Sequence, residues 1–167
     1  DNLTKHIGIC NYSSGLLHDL MNYCETKPEI LQIESHPYLT QEKLIRLAKD
    51  YGLEVTAFSP LGSISYEELG GAVESESILR DETVQSIAKD LGITPAQLIL
   101  GWGLNRGTSI VVKSTNEIRM RDNLAASRIK LEQSIIDKIS DLNINKRYND
   151  PGIFCEDAFN TFFPIYE

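Results

Sequence analysis

The side chains with chemical capacity in this sequence gather at the downstream ends of four short apolar runs. HIGIC (His6–Cys10) runs into Asn11, and ILQIE (Ile30–Glu34) carries Gln32. EVTAFS (Glu54–Ser59) ends on Phe58 and Ser59 and continues through Leu61, Gly62 and Ser63. SIVV (Ser109–Val112) leads into Lys113 and Ser114. Amides at two of these ends, Asn11 and Gln32, have the donors and acceptors to hold a carboxamide. Phe58 offers a face to a flat ring. Lys113, Ser114 and Arg119 suit a phosphate monoester, reinforced by the dipole of a helix starting near Asn116. The set contains no Ser-His-Asp arrangement and no acidic cluster suited to a metal. The histidines (His6, His18, His36) show no HxxxH or HxH spacing, and the cysteines (Cys10, Cys24, Cys155) form no CxxC pair. The cysteines therefore read as reduced thiols rather than as a disulfide framework or a zinc site.

Each of these residues also has an ordinary reading. Lys113 and Arg119 double as surface cations, Gln32 as a satisfied buried amide, and Phe58 as core. Cys10 reads as a small buried hydrophobe rather than a reactive thiol. Trp102, at helical spacing from Leu98 and Ile99, reads as core. The acidic residues Glu67, Glu68, Glu74 and Glu76 read as a solvated loop face.

The elements that position these ends alternate. Ser13–Cys24 places Leu16, Leu17, Leu20 and Met21 at helical period. Thr40 is expected to cap a helix over Gln41–Tyr51 with a stripe of Leu44, Leu47, Ala48 and Tyr51, stopped by Gly52. Pro60 to about Arg80 is a long connection containing Gly62, Gly70 and Gly71, of the kind that forms a lid or binding loop or is disordered. Asp81 caps a helix carrying Val84, Ile87, Ala88 and Leu91, stopped by Gly92. Thr94-Pro95 opens another, with Thr at N-cap and Pro at N1, that ends near Gly107. Helices over Asn116–Ala125 and Glu132–Leu142 follow, and the last 25 or so residues lack clear periodicity. Short buried strands alternating with helices predict an α/β fold with a parallel sheet. Four such units fit either a small doubly wound domain or half of an eight-stranded α/β barrel.

The chain's 167 residues fit a single domain, 1–167. Its hydrophobic share of 41% and charged share of 24% are those of a globular chain rather than a disordered one. The charge balance of 16 Lys+Arg against 24 Asp+Glu, net −8, argues against nucleic-acid or anionic-membrane partners, which need clustered cations. One phosphorylated ligand in a local basic pocket stays compatible with it. No apolar run approaches a membrane span, and no signal-peptide profile opens the chain. A cytoplasmic protein is expected. The absence of an initial Met predicts processing or a piece of a longer chain.

Several segments together resemble the aldo-keto reductase family. IGICNYS (Ile7–Ser13), LQIESHPYL (Leu31–Leu39) and VVKSTNEIRMRDN (Val111–Asn123) carry the likeness, the last being similar to the family's K-[ST]-x4-R-x3-N signature. AFSPLGS (Ala57–Ser63) and TPAQLILGW (Thr94–Trp102) match in kind and order. RYNDP (Arg147–Pro151) looks like the start of the C-terminal loop in xylose-reductase-type members. The resemblance covers essentially the whole chain. It implies the C-terminal half, strands five to eight, of a (β/α)8 TIM barrel, with outer helices and a substrate-loop-like tail over residues 143–167. It also implies NADP(H) as cofactor and reduction of a small carbonyl substrate, an aldehyde or ketone, sugar aldehydes included.

Carried over residue by residue, Asn11 and Gln32 match the carboxamide contacts and Phe58 the ring-stacking aromatic. Ser59, Leu61 and Ser63 fall in the pyrophosphate loop. Lys113, Ser114, Thr115 and Arg119 fall at the 2′-phosphate, Asp122 and Asn123 at the adenine, and Asn149 at the substrate. Cys10 stands where many members have Ser, which weakens one carboxamide hydrogen bond. Asp122 stands where Glu or Gln is usual, one methylene short. The family's catalytic Asp, Tyr, Lys and His lie in the first half of the barrel, so no catalytic residue is assigned here. His36, in the HPY motif, is not their substitute.

A half-barrel has two unpaired edges and a naked inner face, which invite either the missing N-terminal half or a second copy. The alternative to an oxidoreductase is therefore an inactive NADPH-binding or self-associating half-barrel. The tail carries Tyr148, Phe154, Phe159, Phe162, Phe163 and Tyr166, six of the chain's 13 aromatics. Aromatics at that density are expected to cover something.

Overall fold

A computed structural model describes residues 3–67, 72–162 and 164–166. Strands β1 (Gly8–Cys10), β2 (Ile30–Glu34), β3 (Glu54–Phe58) and β4 (Ser109–Ile110) form one parallel sheet in the order β1-β2-β3-β4. Between them run α1 (Ser14–Tyr23), α2 (Glu42–Asp50), the short α3 (Ile64–Glu67), α4 (Glu82–Leu91) and α5 (Pro95–Asn105). After β4 come α6 (Glu117–Ala125), α7 (Gln133–Ser140) and α8 (Pro151–Phe159). A doubly wound sheet reverses its strand order at a switch point. This sheet has no reversal among its four strands, which is the order of a (β/α)8 barrel.

The period-2 alternation of the strands divides the sheet's faces. Leu31, Ile33 and Val55 are buried against Leu17 and Met21 of α1 and Ile45 and Ala48 of α2. On the opposite face, Ile30, Gln32, Thr56 and Phe58 are exposed or half-buried. Parallel sheets are normally covered on both faces, so this second face is where more protein or a ligand belongs. A second apolar cluster lies between α4, α5 and α7, with Val84, Ala88, Leu98, Ile99, Trp102 and Ile139 at 0–1% exposure. Trp102 is core as expected, and its indole N–H donates to Ser140 Oγ at 3.0 Å.

The capping chemistry read from sequence holds at two helices. Asp81 Oδ1 accepts from the Thr83 and Val84 amides, and Gly92 closes α4 in the left-handed region at φ +67°. Thr94 and Gln97 exchange reciprocal bonds at the start of α5, where Pro95 takes N1. Thr40 does not cap α2. Its amide donates to Asn143 Oδ1 and its carbonyl accepts from Arg106, so Gln41 precedes the helix instead, at φ 52° with no side-chain cap. The buried stripe of α2 is accordingly centred on Ile45 and Ala48, while Leu44, Leu47 and Tyr51 pack at its margin.

Three other expectations shift. β4 keeps only Ser109 and Ile110, because among the described strands it has a partner on one side alone. The long connection contains α3 and two 3₁₀ turns, Glu74–Glu76 and Ile78–Arg80, anchored by the fully buried Ile78; Gly70 and Gly71 lie outside the described residues. The aperiodic tail contains α8, entered by Asp150 Oδ1 accepting from the Gly152 amide with Pro151 at N1.

Candidate functional site

Register brings the strand ends together. Cys10 pairs with Gln32, Gln32 with Thr56, and Thr56 with Ser109, making one transverse row on the less covered face. Phe58 lies one row further along, opposite Glu34. The Asn11 amide donates to the Gln32 carbonyl at 2.9 Å, and the Val111 amide to the Ala57 carbonyl at 2.9 Å, so both neighbouring loops leave from the same edge. Asn11, Gln32, Phe58 and Lys113 thus follow from the carboxyl ends of adjacent parallel strands. That is the edge where α/β folds bind ligands.

The individual residues sit as follows. Cys10 is exposed, not a buried hydrophobe, because it lies on the face turned away from α1 and α2; desolvation nonetheless raises its thiol pKa above the ordinary value. Asn11 adopts φ 58°, a region Asn tolerates better than most side chains. Its Oδ1 is buried without a hydrogen-bond partner. Ser59, at φ 48°, pairs its hydroxyl with Tyr66 Oη at 2.9 Å. Leu61 packs against the second apolar cluster, and Ser63 is fully buried.

Lys113, Thr115 and Arg119 are exposed at the start of α6. Ser114 forms a local turn with Asn116, whose Oδ1 caps the helix by accepting from the Arg119 amide at 3.0 Å. Among the described residues neither Lys113 nor Arg119 has an ion-pair partner, whereas Arg121 pairs with Glu117. Asp122 and Asn123 are half-buried, and Asn123 and Ser114 line a cavity of about 320 Å³ with apolar walls from α5, β4 and α6.

Sequence reasoning passed over the carboxylate at the end of β2. Glu34 is 0% exposed. Its Oε1 accepts from the Tyr148 amide at 2.9 Å and from His36 Nε2 at 3.0 Å; its Oε2 accepts from the Asn149 amide at 3.1 Å, with the Arg147 guanidinium at 3.6 Å. Burial alone would push this carboxyl up. The His36 and backbone bonds outweigh it and hold the pKa below its ordinary value. The readable signal was a charged residue closing a strand of otherwise buried alternation.

In the acidic stretch Glu74 is exposed and pairs at the surface with Arg80, Glu76 is half-buried and pairs with Lys146, and Glu68 lies outside the described residues. In the tail, Tyr148 is buried, but Phe159 and Phe162 are 70% and 79% exposed. Phe163 lies outside those residues. No group of His, Cys, Asp and Glu among the described residues could hold a metal, and no described helix is long and apolar enough to cross a membrane.

A sequential parallel sheet whose strands end on polar tips has the arrangement of a barrel-type α/β protein. The sequence model of the Aldo/keto reductase family matches residues 3–144, and the chain belongs to that family. It is 43% identical over 166 residues to the "Probable NAD(P)H-dependent D-xylose reductase xyl1" of Aspergillus terreus, covering 98% of this chain and 50% of the relative. It is 39% identical over 161 residues to the NAD(P)H-dependent D-xylose reductase of Kluyveromyces lactis, covering 95% and 49%. The structure of aldose reductase from Giardia lamblia superposes with a TM-score of 0.82 at 31% identity, over 99% of this chain and 52% of that one. The chain spans about half the length of the curated relatives it matches.

Proposed function

We propose that this chain supplies the nicotinamide-dinucleotide half, strands five to eight, of an aldo-keto reductase that reduces aldehydes or ketones with NADPH, sugar aldehydes among them. The observation that carries this reading is the buried, unpaired Asn11 Oδ1 beside Gln32, at the same sheet edge as two unpaired cations. A buried acceptor without a donor is costly, and a ligand N–H is one group that satisfies it. A carboxamide provides one, with Gln32 as second contact, Cys10 at the margin and Phe58 against the ring.

Lys113, Ser114, Thr115 and Arg119 would hold a 2′-phosphate, and Asp122 and Asn123 the adenine beside them. Ser59, Leu61 and Ser63 belong to the intervening pyrophosphate loop, and the full burial of Ser63 requires that loop to shift before its hydroxyl reaches a ligand. When bound, the cofactor supplies a hydride. This chain's residues bind and orient it, and the general acid for the carbonyl oxygen comes from the half that the relatives carry in addition. Losing that proton donor costs about 10²–10⁴-fold in rate, so the chain alone is expected to bind without appreciable turnover. The name D-xylose reductase, borne by relatives, favours sugar aldehydes, with Asn149 as the substrate-side contact. The open sheet face and edges would be closed by the other half or, failing that, by a second copy.

The test is titration of the chain with NADPH and NADH, followed by nicotinamide fluorescence. Lys113→Ala and Arg119→Ala should each weaken NADPH about tenfold or more, the loss of a charge-assisted hydrogen bond, and leave NADH nearly unchanged. Equal effects on both dinucleotides, or no binding of either, would count against the reading. Gel filtration showing a dimer indifferent to NADPH would favour the self-associating alternative.

A further inference from the structure

We propose that the Glu34 carboxylate is a positioning residue that docks the segment Arg147–Asp150 onto the end of β2, fixing Asn149 relative to Gln32 two residues earlier on the same strand. The inference deepens the proposed function, resting on residues 143–167 as the substrate-side segment. Three observations carry it.

Two of the carboxylate's three hydrogen-bond partners, the Tyr148 and Asn149 amides, come from 114 and 115 residues away along the chain, so those bonds are tertiary, not local. Both oxygens are occupied, one by the Tyr148 amide and His36 and the other by the Asn149 amide, inside a site with 0% exposure. A buried carboxylate is tolerated only with such full compensation. An aliphatic residue in its place would leave two backbone donors and an imidazole unpaired. Furthermore, the docked segment is clasped from other sides: the Tyr148 ring stacks on Tyr66 at 6.0 Å and tilts on His36 at 5.2 Å, and its hydroxyl donates to the Glu76 carbonyl at 3.1 Å. Tyr66 in turn holds Ser59, next to Phe58. One carboxylate therefore registers the substrate-side segment against both the carboxamide and the ring-stacking candidates.

The titratable or charged groups facing Glu34 are His36 on the adjoining turn, Tyr66 from α3, and Arg147, Tyr148 and Tyr166 from the C-terminal segment. Of this set together with Glu34, the Glu34 carboxylate is the group that loses negative charge in acid, which weakens the bonds it accepts.

Hydrogen exchange of the chain tests this without cofactor, so the result stands however the NADPH titration falls. In Glu34→Gln, protection at the Tyr148 and Asn149 amides should fall about tenfold more than at Leu31 and Val55, as expected for loss of bonds to a charged acceptor. In the wild type, protection at Tyr148 and Asn149 should also drop selectively in acid, and Glu34→Gln should lack that limb while Glu34→Asp retains it. Equal losses at core and tail, or an acid limb unchanged in Glu34→Gln, would overturn the proposal. Should Glu34→Gln not fold, Arg147→Gln decides: selective loss at Tyr148 and Asn149 supports the docking role, and unchanged protection there refutes it.

Discussion

At the end of β2, a carboxylate with no solvent exposure has both oxygens filled by His36 and two amides from the far end of the chain. At the end of β4, two strands away, Lys113 and Arg119 stand exposed, with no ion pair among the described residues. The two corners share one sheet edge but have opposite physics. In the first, low dielectric makes every bond strong and every missing partner costly. In the second, water screens the cations and little folding energy depends on them. The contrast separates what holds the molecule together from what is left free to meet a ligand.

The sharpest way to break the contrast is Glu34→Ala. It should cost about 3 kcal/mol in urea denaturation, since one partner of a buried, hydrogen-bonded charge set is removed. A loss under 1 kcal/mol would mean the corner is wetter than its geometry says. Gly62→Ala should follow at about 1–2 kcal/mol, because an L side chain is strained in the left-handed region. Gly62 sits there at φ +68°, and its added Cβ would also meet the Tyr148 ring at 3.4 Å.

Tyr38 gives a smaller effect with a defined pH window. Burial, then the nearby Asp81 that accepts its hydroxyl at 3.1 Å, push its pKa from 10.0 up to about 12. A raised folded value means its contribution is intact below pH 10 and lost as pH rises through about 12. Burial also raises Tyr66 and Tyr166, so tyrosinate absorbance should show several late-titrating phenols, and Tyr38→Phe should remove the one that titrates near 12. Glu34 has the reverse sign: its folded value lies below the ordinary 4.5, so its contribution is present above that pH and disappears as pH falls through the depressed value. Smallest on stability are Lys113→Ala and Arg119→Ala, within about 0.5 kcal/mol by urea denaturation. A large loss there would erase the distinction between the two corners.

Much of this architecture was legible locally. Asp81 and Thr94-Pro95 announce helix starts, because caps act through a side chain and an amide two or three residues away. ILQIE is a strand from end to end, since alternation over five residues needs no distant partner. That Asn11, Gln32, Phe58 and Lys113 share one sheet edge could be read because each follows the carboxyl end of a parallel strand. What failed was tertiary. Thr40 looks like a cap, but Asn143 and Arg106 claim its backbone. Cys10 looks buried by type, but the face it occupies depends on where α1 and α2 pack. Glu34 drew no role from the sequence, because two of its three hydrogen-bond donors, the Tyr148 and Asn149 amides, lie more than a hundred residues away.

By itself, then, the sequence determined the alternation of strands and helices and the caps of α4 and α5, which rest on local periodicity or short-range bonding, while its motifs pointed to the family. Only the tertiary structure decided the unreversed strand order, the bare sheet face, and the capture of Glu34 by amides more than a hundred residues away. Those features arise when chain segments remote in sequence share one low-dielectric volume, and no local pattern encodes which segments will meet there.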